Sequence, residues 1–315
     1  MAAIEARGLT KRYGEHTVVD AVDLQVPAGR VHALLGPNGS GKTTTVRLLA
    51  TLLRPDGGTA RIAGYDTVRD TAQVKKRIGL VGQFHAVDPR LTGLENLTMF
   101  GRMNGLPAHR ARTHARELLE RFDLGSAADR LARDYSGGMR RRLDIVAAMV
   151  VRPAVLFLDE PTTALDPRSR NQIYRYIEEF VTEGTTVLLT TQYLDEADRL
   201  ADSVTILDSG RVIASGTPHE LTSSIGAGLD LVADRHRRRE IDTVLADFGG
   251  IATAPDSTET GAPLSYSFPD AAVPLLPILR ALEEAGIEVH DIGRRRATLD
   301  DAFLALTGPT ARTPR

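Results

Sequence analysis

Cysteine is missing altogether from the 315 residues, which excludes disulfides, cysteine-ligated zinc and thiol catalysis. Long apolar runs are missing too. The longest, residues 145–151, is stopped by Arg152 and Pro153, far short of the roughly 20 residues a membrane-spanning helix needs. The N-terminus has no basic segment followed by an apolar one, so no signal peptide is expected. No sign of charge is in excess: 39 Lys and Arg against 41 Asp and Glu leave a formal −2. That balance argues against wholesale binding to nucleic acid. The eight histidines are scattered, and no structural metal is expected. What remains is 42% hydrophobic and 25% charged, an ordinary globular composition, in a length that suits two domains or one large and one small.

The most informative stretch is Gly36-Pro37-Asn38-Gly39-Ser40-Gly41-Lys42-Thr43-Thr44. It fits G-x-x-x-x-G-K-[ST], a loop whose backbone N–H groups cradle phosphates. Residues 30–35 before it read as a short buried strand, and residues 44–53 after it carry apolar side chains at helical spacing. A strand delivers the loop, glycines let the backbone approach phosphate, and a helix N-terminus adds partial positive charge. Lys42 is placed to reach the outer phosphates and the Thr43 hydroxyl to ligate Mg²⁺. The pattern implies a bound nucleoside triphosphate.

Residues 3–9 and 17–26 read as strands flanking a turn that holds Tyr13. Alone, Tyr13 is a packing tyrosine or a platform for a purine ring. Residues 59–64 and 78–83 are further strands, the second ending on Gln83, and from about 91 to 151 the pattern is helical and Arg-rich. Tyr135-Ser136-Gly137-Gly138-Met139 opens a helix whose amides suit an anion. The apolar strand 155–158 runs into Asp159 and Glu160. After a phosphate loop, that places Asp159 to hold Mg²⁺ through water and Glu160 to act as general base. Residues 185–191 form another buried strand, ending on Gln192, and Ser209-Gly210 joins two more strands as a hairpin. Alternating strands and helices predict an α/β fold with a largely parallel sheet.

Composition shifts at residues 223–228, a linker by its small residues. Beyond it the pattern predicts strand 229–233, helix 238–248, strand 264–268, helix 271–285, strand 287–292 and helix 299–306, a small C-terminal α+β domain of ferredoxin-like type. Residues 256–263 read as a polar loop and 308–315 as a disordered tail. Two basic clusters, at 235–239 and 294–296, read as solvated faces.

Together the phosphate loop, Gln83, Tyr135-Ser136-Gly137-Gly138-Met139, the 155–160 strand, Ala164-Leu165-Asp166 and Gln192 resemble the ATP-binding cassette family over the first 220 residues or so. The resemblance implies a P-loop NTPase cassette at 1–222, with an antiparallel β subdomain and a helical subdomain at about 84–150, followed by the linker and an accessory domain at 229–307. It implies ATP and Mg²⁺ bound by Tyr13 and residues 36–44, with Thr43, Gln83 and Asp159 at the metal. Catalysis would rest on Lys42, Gln83, Glu160 and Gln192. In a homodimer Ser136, Gly137, Gly138 and Asp166 would act in trans on the partner's nucleotide. Tyr135, Met139 and Gln192 depart from the commoner Leu, Gln and His of the family. A glutamine can donate to a γ-phosphate but cannot carry a titratable proton.

Residues 190–198 and 297–308 narrow the resemblance to the daunorubicin-resistance type of drug-efflux ATPase. The implied function is ATP hydrolysis powering export of drugs or antibiotics through a separate membrane permease. Such a subunit sits at the cytoplasmic face of the membrane, touching it mainly through the permease, and binds no nucleic acid. The alternatives are export of a lipid or cell-envelope component, and a soluble ATPase or nucleotide switch without a transport role.

Overall fold

The computed structural model of the protein describes residues 2–83, 85–223, 227–252, 263–268, 273–296 and 298–307. It divides into two compact units, residues 1–215 and 216–315. In chain order the first runs β1 (Ala2–Tyr13), β2 (His16–Pro27), β3 (Val31–Leu35), α1 (Lys42–Leu49), β4 (Gly57–Ile62), β5 (Tyr65–Asp66), α2 (Thr71–Lys75), β6 (Ile78–Val81), α3 (Gly93–Met103), α4 (Ala108–Arg121), α5 (Gly137–Met149), β7 (Val155–Asp159), α6 (Pro167–Thr182), β8 (Thr186–Thr191), α7 (Leu194–Leu200), β9 (Ser203–Asp208) and β10 (Arg211–Gly216).

Two sheets organise this unit. One is antiparallel, in the order β2–β1–β4–β5. The other has the order β10–β9–β3–β8–β7–β6, with β9, β3, β8, β7 and β6 all parallel. β3, β7 and β8 are buried along their whole length, as parallel strands covered on both faces must be. Ile4, Leu9, Val22 and Ile62 of the antiparallel sheet pack with Leu34, Leu49 and Phe157 in one core. Leu94, Leu119, Phe122, Leu143, Ile173 and Leu189 join the helical segment to the other face of the parallel sheet.

β1 and β2 are longer than the alternation at 3–9 and 17–26 indicates, and Tyr13 ends β1 rather than lying in the turn, which is Gly14-Glu15. The pairing of these strands carries several register shifts, and Ala21 has a φ of 49°. Each bulge breaks the period of two by which strands are recognised.

In the helical segment Thr92 and Glu95 form a reciprocal capping box on α3. Tyr135 lies in the core of this segment, its hydroxyl donating to the Ala127 carbonyl at 2.7 Å. The tyrosine therefore packs inward while Ser136, next in the chain, caps α5 by accepting from Met139 N. A Cβ at Gly93 would lie 2.2 Å from the Tyr135 hydroxyl. Gly93→Ala is expected to destabilise the protein by about 1–3 kcal/mol, as overpacked sites do. Adding Tyr135→Phe should return part of that loss, so urea melts of the single and double variants should be non-additive.

The second unit contains α8 (Pro218–Ser223), β11 (Ala227–Ala233), α9 (Arg238–Asp247), β12 (Ile251–Ala252), β13 (Leu264–Phe268), α10 (Leu275–Glu284), β14 (Val289–Arg296) and α11 (Leu299–Thr307). The two compact units divide at Ser215/Gly216, which leaves α8 in the second, whereas the sequence pattern places the end of the cassette at residue 222. The proposed linker overlaps β11, which starts at Ala227, and residues 224–226 lie outside the described residues. So do the tail 308–315 and most of the polar loop at 256–263.

β11 to β14 form an antiparallel sheet in the order β12–β13–β11–β14 around Leu229, Leu231, Tyr266 and Ile278. With α9 and α10 this is the β-α-β-β-α-β arrangement of a ferredoxin-like domain. The basic clusters are not simply solvated. Arg237 donates to Glu240 and to the Ala285 and Gly286 carbonyls. Arg294 donates to the Val273 carbonyl, and Arg295 pairs with Asp230 and Asp301.

Candidate functional site

The loops that matter leave the carboxyl ends of parallel strands, where ligands of open α/β sheets bind. β3 delivers the 36–41 loop, β6 leads to Gln83, β7 to Glu160 and β8 to Gln192. β3 and β7 both pair with β8, so these loops emerge side by side.

The phosphate loop is shaped by backbone that only glycine tolerates. Gly41 has a φ of 102°, and a Cβ there would lie 2.6 Å from the Val18 carbonyl oxygen; one at Gly36 would lie 2.3 Å from that of Leu207. Gly41 caps α1 without a side chain, and the first amides of a helix have no intrahelical partner, so they face whatever the loop encloses. Lys42 is buried and donates to the Gly36 carbonyl at 2.8 Å and the Pro37 carbonyl at 3.1 Å. Burial pulls its ammonium below the usual lysine range, while Glu160 and Asp159 push it back up. The Ser40 hydroxyl is buried without a hydrogen-bond partner. A loop that admits no Cβ at Gly36 or Gly41, with a lysine folded over it and an orphaned hydroxyl at Ser40, fits a polyphosphate.

Asp159 closes the other side. Its Oδ1 accepts from the Thr43 hydroxyl at 3.1 Å and from the Thr190 hydroxyl at 2.6 Å. Thr43, the predicted metal ligand, is thus in direct contact with the predicted metal carboxylate. Glu160 follows with a φ of 49°, a left-handed conformation that costs a non-glycine residue roughly 1–3 kcal/mol and persists only where the surroundings impose it. Its amide donates to Thr190 O and Thr190 Oγ1, each at 3.1 Å, and its Oε2 lies 3.4 Å from the Thr163 hydroxyl.

Asn38, Gln83, Gly137, Glu160 and Ala164 line one cavity of 620 Å³, together with Arg141. The fold thus gathers Asn38 of the phosphate loop, the expected γ-phosphate sensor, the expected base and the start of α5 around one space. Tyr13 stands apart at the end of β1, half exposed, with the Lys11 ammonium 5.7 Å from its ring centroid. Gln192 sits partly buried just past β8. Asp166 caps α6, accepting from the Ser169 amide at 3.0 Å and hydroxyl at 2.6 Å.

Residues not singled out in the sequence complete the site. Arg141 is buried and donates to four main-chain carbonyls, those of Gly82, Asp159, Glu160 and Pro161. Burial pulls its guanidinium down, offset by the fields of Asp144, Asp159, Glu196 and Glu160. Glu196 is buried on α7 and accepts from the Thr162 hydroxyl at 2.9 Å; its burial raises the carboxyl. The run Arg140-Arg141-Arg142 resembles a solvated face, yet Leu143, Ile145, Val146 and Met149 follow on several sides of α5. A helix apolar all round is a buried helix, and that was the available signal for buried arginines.

Comparison with known proteins agrees with this geometry. Residues 19–163 match the ABC transporter family. The daunorubicin resistance ATP-binding protein DrrA2 of Streptomyces coeruleorubidus is 51% identical over 97% of this chain and 95% of its own. The chain belongs to the ABC transporter family, in its daunorubicin-resistance group. A Nod factor export ATP-binding protein I of Cupriavidus metallidurans is 39% identical over 98% of both chains. Among solved structures, a dimeric ATP-binding cassette in a post-hydrolysis state with ADP and phosphate superimposes with a TM-score of 0.62. It shares 26% identity and covers 68% of this chain and 98% of that one. The first unit is thus an ABC cassette, and ATP is its nucleotide.

Proposed function

We propose that this cassette hydrolyses ATP to drive export of a drug or antibiotic through a separate membrane permease, working as a homodimer at the cytoplasmic face. The observation that carries the reading is the single cavity where the phosphate loop, Gln83 and Glu160 converge. The 51% identity to a daunorubicin resistance protein supports the drug as cargo; identity to a Nod factor exporter is lower, 39%. Among the described residues no helix is long and apolar enough to cross a membrane, so the path for the cargo is assigned to the partner. Between α3 and α4 a 480 Å³ groove lined by Thr98, Met99, Arg102 and Met103 is open, and we assign it to a short helix of that permease.

In the proposed cycle the 36–44 loop and α1 hold the triphosphate, Lys42 turns from its own loop carbonyls to the outer phosphates, and Tyr13 stacks on adenine. Mg²⁺, held by Thr43, Gln83 and Asp159, supplies charge compensation at those phosphates. Glu160 takes the proton of the attacking water, and the Gln192 amide donates to the γ-phosphate. Ser136, Gly137, Gly138 and Asp166 would complete the partner's site.

Hydrolysis by the purified chain, alone and with its permease, tests this reading in the parent and in Gln192→His. Turnover is expected to rise with the permease. The histidine variant is expected to gain rate and a pH dependence near the imidazole pKa of about 6.5. Intact ATP binding without turnover in either setting would instead make the protein a non-hydrolysing switch.

A further inference from the structure

Gln83 is gripped on both sides by one face of α5. Before it in the chain, the Gly82 carbonyl accepts from Arg141 Nη1 at 2.6 Å. After it, the buried Asp144 carboxylate accepts from the Ala86 amide at 2.9 Å and the Val87 amide at 3.2 Å, and the His85 ring nitrogen Nδ1 contacts its other oxygen. Arg141 and Asp144 are three residues apart in the chain, so they project from one side of the helix.

The same guanidinium reaches the end of β7. Nε donates to the Pro161 carbonyl at 2.8 Å, and Nη2 to those of Asp159 and Glu160, each at 3.0 Å. It holds the carbonyl of Glu160, whose left-handed backbone needs outside support. A planar fork with five N–H donors on three nitrogens can serve these four carbonyls; an ammonium has three donors on a single nitrogen and cannot serve all four.

We propose that Arg141 and Asp144 are positioning residues that staple the Gln83 loop and the Glu160 backbone to α5, so that Gln83 and Glu160 are held in place around their shared cavity. The staple rests on the proposed roles of Gln83 and Glu160. It also gives α5 two tasks: its N-terminus is offered to one nucleotide while its next turns set the geometry of another.

The test is steady-state kinetics on the full chain with Mg-ATP, alongside ATP affinity by displacement of a fluorescent analogue and thermal melting. Arg141→Lys keeps the charge but not the fork. Its kcat is expected to fall at least about tenfold, the loss that misplaced catalytic groups bring, with KM and ATP affinity within about twofold and melting near the parent's. Asp144→Ala should behave alike, and Asp144→Asn, which keeps an acceptor for the 86 and 87 amides, should recover most of the rate. Wild-type kcat in Arg141→Lys overturns the staple. So does a kcat loss matched by lost ATP affinity or failure to fold, because either marks a purely structural residue. Glu160→Gln separates the readings: if it still turns over while Arg141→Lys does not, the base assignment falls and the staple stands. If Glu160→Gln is inactive and Arg141→Lys is not, the staple falls.

Discussion

Glu160→Gln is expected to cut ATP turnover by roughly 10²–10³-fold, the usual worth of a positioned general base, while ATP affinity stays within about twofold of the parent. Glu160 lines the cavity shared with Asn38 and Gln83, and its position is over-determined: amide to Thr190, carbonyl to Arg141. Glutamine fits the same place and can accept the same Thr163 hydrogen bond, but it cannot take a proton from water. A rate defect without a binding defect is therefore the specific signature, read as phosphate release at saturating Mg-ATP beside nucleotide displacement. Unchanged turnover would remove Glu160 from the mechanism, and weakened binding would recast it as a structural support for the loop.

The second large effect concerns stability and arises away from the site. His32 is buried on β3, with Nδ1 2.7 Å from the Ser203 hydroxyl and Nε2 3.0 Å from that of Thr205, both on β9. Burial lowers its pKa from 6.5 to about 4. The unfolded chain thus takes up a proton as pH falls through 6.5, whereas the folded chain waits until about 4. Stability from the neutral imidazole is full above pH 6.5 and drains away as pH falls across that window, by about 1.4 kcal/mol per unit and about 3 kcal/mol in all. At pH 5 the melting temperature should be about 4–8 °C below its value at pH 7. His32→Asn should melt lower than the parent at pH 7 yet change little down to pH 5. Parallel decline of parent and variant would assign the loss elsewhere. Asp88, held at about 2 by Arg90, gains a charge on ionisation; its contribution drains as pH falls from the ordinary 3.8 to about 2, so it does not overlap the His32 window.

The residues proposed to hold phosphate could be picked out because the chemistry prescribes their kind and order: glycines where backbone must approach an anion, a lysine at the helix start, carboxylates at a strand end. The parallel sheet was legible for a related reason, since Val155 to Leu158 and Thr186 to Leu189 are too apolar to border water on either face. What escaped depends on contacts between segments far apart in the chain. Arg141 reads as one of three exposed arginines until β7 and the Gln83 loop are brought against it. The Glu196–Thr162 hydrogen bond joins residues on α7 and on the segment after β7, and no local pattern announces it. The bulges that lengthen β1 and β2 destroy the very alternation by which strands are found. α8 is short and carries one buried residue, Leu221, too little periodicity to assign it to either side from sequence.

Positions 93 and 135 behave as one inherited trait written in two places. The Tyr135 hydroxyl occupies the space a side chain at 93 would need. A descendant that acquires alanine at 93 first must pack its methyl against the hydroxyl, whereas one that first loses the hydroxyl meets no such clash and gives up instead the hydrogen bond to the Ala127 carbonyl. The order of substitutions in this segment is therefore constrained, and the history of a fold can run more easily in one direction than in the other without either residue ever meeting ATP.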